Sequence, residues 1–239
     1  MQKSRSTPAK GSALTLGAIK AAVIKSILAG LMIGVGATVY LACDSRVAGA
    51  LLFSTGLITI CNQGYMLITG KVCYALESGL ENIVTLLVIT LGNLAACLLY
   101  GAATQRYMPA IAEKAADVAA NRLLQSADQT FVLGILCGIL MYIAVVTFRR
   151  QQGMSRYVGI VTCVPAFILC GFEHSVADAV YLSMAGLPDG SIRFLFIVLM
   201  GNSATLWVIY IGFAGFGFAR AFFDANTYTV LYDVILPRY

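Results

Sequence analysis

Charge is scarce in this chain. Only 11% of its 239 residues are Asp, Glu, Lys or Arg, against about a quarter in water-soluble domains. That shortage excludes an ordinary soluble globular protein. There is one histidine and one tryptophan, and a single imidazole argues against a zinc centre, which wants several His, Cys or carboxylate ligands in a defined set. None of the seven cysteines forms a C-x-x-C pair, so they read as small buried apolar residues rather than a disulfide framework or metal site. The formal net charge of +5 sits mostly at the ends of apolar runs. That distribution argues against a nucleic-acid footprint, which needs a basic face. What the chain has instead is hydrophobic bulk: 59% apolar residues and a mean hydropathy of +0.84. It reads as an integral membrane protein embedded in a lipid bilayer.

The apolar runs divide it. Residues 1–20 form a polar, basic leader with Lys3, Arg5, Lys10 and Lys20. A first span covers about residues 21–43, with Gly30-x-x-x-Gly34 giving the spacing that lets helices approach closely. Ser26 to Cys43 is uncharged and longer than a usual signal-peptide core, and no small-x-small cleavage site clearly follows, so it reads as a retained span. Asp44, Ser45 and Arg46 make a short turn. Val47 to Leu76 is longer than the roughly 20 residues a straight crossing needs. Its polar Cys61-Asn62-Gln63-Gly64 predicts a half-helix, an unwound loop and a second half-helix from about Met66, with Thr69 near the membrane centre.

Beyond a turn at Glu77 to Glu81, a third span runs from Asn82 to Gln105. Residues 106–128 are amphipathic and read as a surface helix outside the core. The fourth span is Gln129 to Phe148, and Arg149, Arg150 and Arg156 flank a polar turn. A fifth span runs from Tyr157 to about Gly186, the Pro188-Asp189-Gly190 turn follows, and the sixth is Phe194 to Ala219. Residues 220–239 are read as a C-terminal tail. Residues 21–219 thus make one six-span transmembrane domain.

The fifth span carries the stretch that organises the rest. Phe167 to Ala185 places His174 between Glu173 and Ser175, with Asp178 one turn on. Ionisable groups at membrane depth usually face a cavity or a partner, and Gly171 beside them predicts a break that frees backbone to line a polar site. His174 is therefore either a satisfied histidine gluing two helices or a permeation or proton-handling site. Glu173 and Asp178 are expected to bond backbone N–H groups of the unwound segments. Asn93 and Asn202 are expected to fix helix contacts.

The halves repeat. Gly92-Asn93 in the third span matches Gly201-Asn202 in the sixth, and the break near Thr69 matches that near His174. Three spans followed by three must run in opposite senses, so the expected fold is all-α: six transmembrane helices as two inverted three-helix repeats with broken second and fifth helices. Interrupted helices at matching places point to a midplane transport site. Lys and Arg are more than twice as numerous on the side holding both ends, which places both termini in the cytoplasm.

The stretch Gly171-Phe172-Glu173-His174-Ser175-Val176-Ala177-Asp178 resembles the signature of the formate/nitrite transporter family. So do Leu67-Ile68-Thr69-Gly70, Gly92-Asn93 and Gly134-Ile135-Leu136-Cys137. The resemblance covers about residues 18–218. It implies an aquaporin-like protomer in a homopentamer of the inner (cytoplasmic) membrane, with one pore per subunit for small monovalent anions such as formate, nitrite or hydrosulfide. It further implies that Thr69 and His174 face each other in the pore, that Phe53, Leu57, Leu67 and Phe167 form the constrictions, and that Arg122 lies at the outer vestibule. No cofactor is expected, and with one histidine and no matched second ligand cluster no metal site is expected either. Three places depart from the family pattern: Ile68 where phenylalanine is common, Asp178 where many formate-type members carry asparagine, and Ser203-Ala204-Thr205 where small glycines are usual. The choice among the anions stays open.

In such a passage Thr69 can donate a hydroxyl hydrogen bond and His174 a ring N–H. The imidazole either lends a proton to a weak-acid anion or stays neutral as a fixed donor. Two other classes compete with a transporter. An intramembrane enzyme lacks a nucleophile motif, and Gly212-Phe213-Ala214-Gly215-Phe216-Gly217 is preceded by no strand that would make it a dinucleotide fingerprint. A structural membrane subunit would not need matched breaks in both halves.

Overall fold

Two serines start two of the membrane helices. Ser45 Oγ accepts from Ala48 N–H at the head of the helix Arg46–Gln63 and Ser126 Oγ from Gln129 N–H at the head of Ala127–Arg150, the usual way to satisfy the unpaired N–H groups of a first turn. The computed structural model describes residues 16–72 and 80–235. In chain order the helices are α1 (Leu16–Ala42), α2 (Arg46–Gln63), α3 (Ile68–Lys71), α4 (Leu80–Tyr107), α5 (Pro109–Leu123), α6 (Ala127–Arg150), α7 (Val158–Cys170), α8 (Ser175–Met184) and α9 (Ser191–Ile235). A 3-10 turn, Gly153–Tyr157, leads into α7. The described residues contain no strand.

Among the described residues, five helical stretches are long and apolar enough to cross a membrane: Leu16–Ala42, Ile83–Tyr107, Ala127–Arg150, Gly153–Cys170 and Ser191–Ala221. The remaining expected span is the broken pair α2 and α3. The expected leader and the Glu77 to Glu81 turn lie largely outside the described residues, although α1 already starts at Leu16 and α4 at Leu80. The last apolar span ends at Ala221, beside the expected Ala219, and α9 itself carries on through the tail to Ile235. Residues 220–235 hold neither glycine nor proline, so nothing local stops the helix before Pro237.

α1 packs on α2 and α4, and α6 packs on α7 and α9, giving two trios of the same design. Each short helix crosses over, α3 touching α6 and α8 touching α4. Small residues let the pairs close. A Cβ on Gly30 would stand 2.7 Å from the Ala96 Cβ and from the Asn93 carbonyl oxygen. On the other side, Gly134 and Gly201 face each other, and a Cβ on Gly201 would strike the Phe131 carbonyl and lie 3.1 Å from the Gly134 Cα. Backbone cannot yield as a side chain can, and overpacking costs roughly 1–3 kcal/mol. Gly201→Ala is therefore expected to lower the melting temperature of the detergent-purified protein. An unchanged melt would mean that α6 and α9 do not need this contact.

α5 is more than the expected surface helix. Ala115 and Ala119 are fully buried, and the helix packs on α8. An alanine stripe on one side of an otherwise polar helix lets it lie close and bring its last turn over the start of α8.

Candidate functional site

Both breaks are built in the same way. α2 ends at Gly64 and α7 at Gly171, each in the left-handed region (φ 64° and 71°) that glycine adopts without strain. The chain then turns back before starting a new helix. In a membrane the freed backbone groups need partners, and an asparagine from a neighbouring helix supplies them. Asn93 Oδ1 accepts from Ile68 N–H at 2.9 Å, while Nδ2 donates to Met66 O at 2.9 Å and Ser26 O at 2.7 Å. Asn202 Oδ1 accepts from Ser175 N–H at 2.9 Å, while Nδ2 donates to Glu173 O at 2.9 Å and Gly134 O at 2.8 Å. Each asparagine ties a restarting helix to a straight one.

The first turns of α3 and α8 meet where Thr69 Oγ1 lies 2.9 Å from His174 Nε2. Each residue is 2% exposed. His174 also caps α8, its Nδ1 accepting from Ala177 N–H at 3.1 Å. A ring nitrogen that accepts carries no proton, so in the neutral imidazole Nε2 holds the hydrogen and donates it to Thr69. The threonine hydroxyl hydrogen is then left to point elsewhere. The Phe167 ring stacks on the imidazole with centroids 5.6 Å apart, and Phe53 meets Phe167 edge-on at 6.2 Å.

Cavities approach this pair from the two ends of α2. One, of about 320 Å³, is lined by His174, Phe53 and Phe167 together with Arg46, Arg122, Glu173 and Asp178. The other, of about 140 Å³, is lined by Leu57, Leu67, Lys71 and Arg149 among others. They share no lining residue. Phe53 and Phe167 line the first and Leu57 and Leu67 the second, and all four side chains are buried.

Glu173 and Asp178 are not held by backbone N–H groups as expected. Both carboxylates pair with the Arg122 guanidinium, and Gln125 Nε2 donates to Glu173 Oε1 at 2.6 Å. The guanidinium also lies 5.3 Å from the Tyr181 ring centroid, a favourable cation–π distance. The physical reason is reach: α5 lies on α8, and a long planar donor bridges two acids that no nearby amide serves. Sequence reasoning missed Arg46, Gln125 and Tyr181. Arg46 looked like part of a turn, yet its Nη2 donates to Leu169 O at 3.2 Å and Ile168 O at 3.5 Å at the end of α7. No group of three or more His, Cys, Asp or Glu side chains among the described residues is arranged to hold a metal ion. The described cysteines are free thiols, with Cys97, Cys137 and Cys163 buried and Cys170 exposed.

Apolar helices of spanning length, with two breaks meeting at one buried polar pair between two cavities, define a multi-pass membrane protein of channel-like architecture. The family model for formate/nitrite transporters matches residues 6–215, and the chain belongs to that family. It is similar to the nitrite transporter NirC of Salmonella typhimurium strain LT2, at 25% identity over 174 residues, which are 72% of this chain and 60% of that protein. NirC of Escherichia coli K12 is 26% identical over 117 residues, 49% of this chain and 43% of the relative. The chain thus spans less than two thirds of the length of these relatives. In fold it is similar to a pentameric formate channel with formate bound, with a TM-score of 0.73 at 22% identity, covering 85% of this chain and 98% of that one. An ion channel of the FNT family gives a TM-score of 0.69 at 23% identity, covering 85% and 90%.

Proposed function

We propose that this chain forms a channel or transporter for small monovalent weak-acid anions, formate, nitrite or hydrosulfide, with one pore in each protomer of a homopentamer. The observation that carries the reading is the buried Thr69–His174 pair, lying where two restarted helices meet and where a cavity arrives from each end of α2. The inverted-repeat arrangement is supported by the matching bonds of Asn93 and Asn202 in the two halves. The proposed setting is the inner membrane with both termini cytoplasmic, as the distribution of Lys and Arg favours.

An unpaired ion in an apolar passage costs tens of kcal/mol in the idealised limit. The start of α8 offsets part of that with its positive dipole end, equivalent to about half a charge, aimed at the pair. Thr69 adds its free hydroxyl hydrogen. The Phe53, Phe167, Leu57 and Leu67 side chains limit the passage to small solutes and exclude bulk water.

Of the two roles weighed for His174, the geometry favours the fixed neutral donor. A doubly protonated ring would have to donate from Nδ1, where it now accepts from Ala177 N–H, so charging the ring means giving up the α8 cap. A proton relay through His174 therefore requires the first turn of α8 to loosen.

The test is flux through proteoliposomes holding the purified full chain, with formate, nitrite, hydrosulfide and acetate competed across pH. Saturable passage of one or more of the three small anions, with acetate slower, is the expected result. Silence towards all of them would leave a structural membrane subunit as the better description.

A further inference from the structure

The cavity beside His174 has a charge balance that residue types alone do not reveal. Its charged lining residues are Arg46, Arg122, Glu173 and Asp178. Arg122 is shared between two carboxylates that are 1% and 0% exposed, so that cluster carries one excess negative charge when both acids are ionised. Asp178 Oδ2 is buried with no hydrogen-bond partner, and the residue lines the cavity. An anion approaching His174 from this side would meet repulsion if the cluster stood alone. Lys114 does not line the cavity, because its Nζ is bound to Leu41 O at 2.9 Å.

Arg46 restores the balance. It is exposed, lines the same cavity, and is held over the C-terminal end of α7 by the Ile168 and Leu169 carbonyls. Those are neutral acceptors, and three of its five N–H donors lie outside Nη2. We infer that Arg46, rather than Arg122, is the residue that recruits the anion into the His174 cavity, and that Asp178 sets how strongly it does so. Arg122 serves as the clamp that holds Glu173 and Asp178 in place. The inference rests on the transport reading above and adds to it which residue controls entry and affinity.

The test is a charge-compensation series in the full chain, read by initial formate uptake in proteoliposomes at low ionic strength and by labelled-formate binding to the purified protein. A unit charge roughly 10 Å away is worth about twofold to about fifteenfold in local anion occupancy at effective dielectric constants between water and a protein surface. Arg46→Gln is therefore expected to raise the half-saturating formate concentration about fivefold, and Arg46→Lys to change it little. Asp178→Asn alone is expected to lower it. Arg46→Gln combined with Asp178→Asn is expected to return close to the starting value, since one charge of each sign has been removed. The difference between variants should shrink as salt is raised, because the screening length falls from about 10 Å at 0.1 M to about 3 Å at 1 M.

If Arg46 only caps α7, Arg46→Gln lowers the melting temperature and Asp178→Asn fails to restore affinity; that result overturns the inference. So does an Arg46→Gln protein with unaltered formate affinity. A starting protein that binds formate with the expected Arg46 dependence but passes no anion would defeat the transport reading and leave the recruitment site standing.

Discussion

Replacing His174 with asparagine is expected to cut anion flux by roughly ten- to a hundredfold, the loss that follows from removing one hydrogen-bond donor to a charged group, while the protein stays folded. The substitution separates two jobs that the imidazole performs together. Asparagine ranks among the strongest N-caps, so Ala177 N–H keeps an acceptor and α8 keeps its start. Its shorter side chain does not span the 2.9 Å contact to Thr69 Oγ1. Thr69→Val removes the other half of the pair, and the double variant should be little worse than either single one, since contacting residues are not additive. Melting temperature and oligomer size, measured alongside flux, separate a chemical loss from a folding loss. Flux at the starting rate with the starting pH profile in His174→Asn would remove the pair from the mechanism. A variant that still conducts but has lost its pH dependence would assign the coupled proton to the ring, against the fixed-donor role.

Asn202→Leu is expected to be the most damaging substitution for stability. Leucine is close in size, but it leaves Ser175 N–H and Glu173 O without partners and withdraws the donor from Gly134 O. Each buried group left unsatisfied costs roughly 1–3 kcal/mol, and lipid offers no water to replace the bond. Two or three such losses together are comparable with the whole stability of a typical domain, about 5–15 kcal/mol. The expected result is a large fall in melting temperature and poor recovery of assembled protein. Asn93→Leu should behave alike, because Asn93 bonds Ile68, Met66 and Ser26 in the same pattern. An Asn202→Leu protein with the original melting temperature would show that the restarted helix is held by packing alone.

These two substitutions touch features of different legibility. The matched Gly-Asn pairs were visible as repeats in the sequence. Nothing in the spacing told that each side chain would bond both sides of a chain break. The break at Gly171 could be expected because a glycine precedes ionisable residues deep in an apolar run. The continuation of α9 to Ile235 could not be read from hydropathy, because Ala219 ends the most hydrophobic part and hydropathy reports burial in lipid rather than helix continuity. The amphipathic pattern of residues 106–128 marked a surface helix. It did not show that the last turn would close over two carboxylates.

Hydropathy, glycine placement and the breaks are properties of neighbouring residues, because the bilayer acts on each segment separately and a helix closes its own hydrogen bonds. Those features could be read directly from the linear chain. The partners of Glu173 and Asp178, the neutralisation of Arg122 and the arrival of Arg46 at the His174 cavity depend on distances between residues that lie far apart in the chain. Electrostatic pairing falls off with separation in space and is indifferent to separation in sequence, so these contacts emerge only once α2, α5, α7 and α8 are packed together.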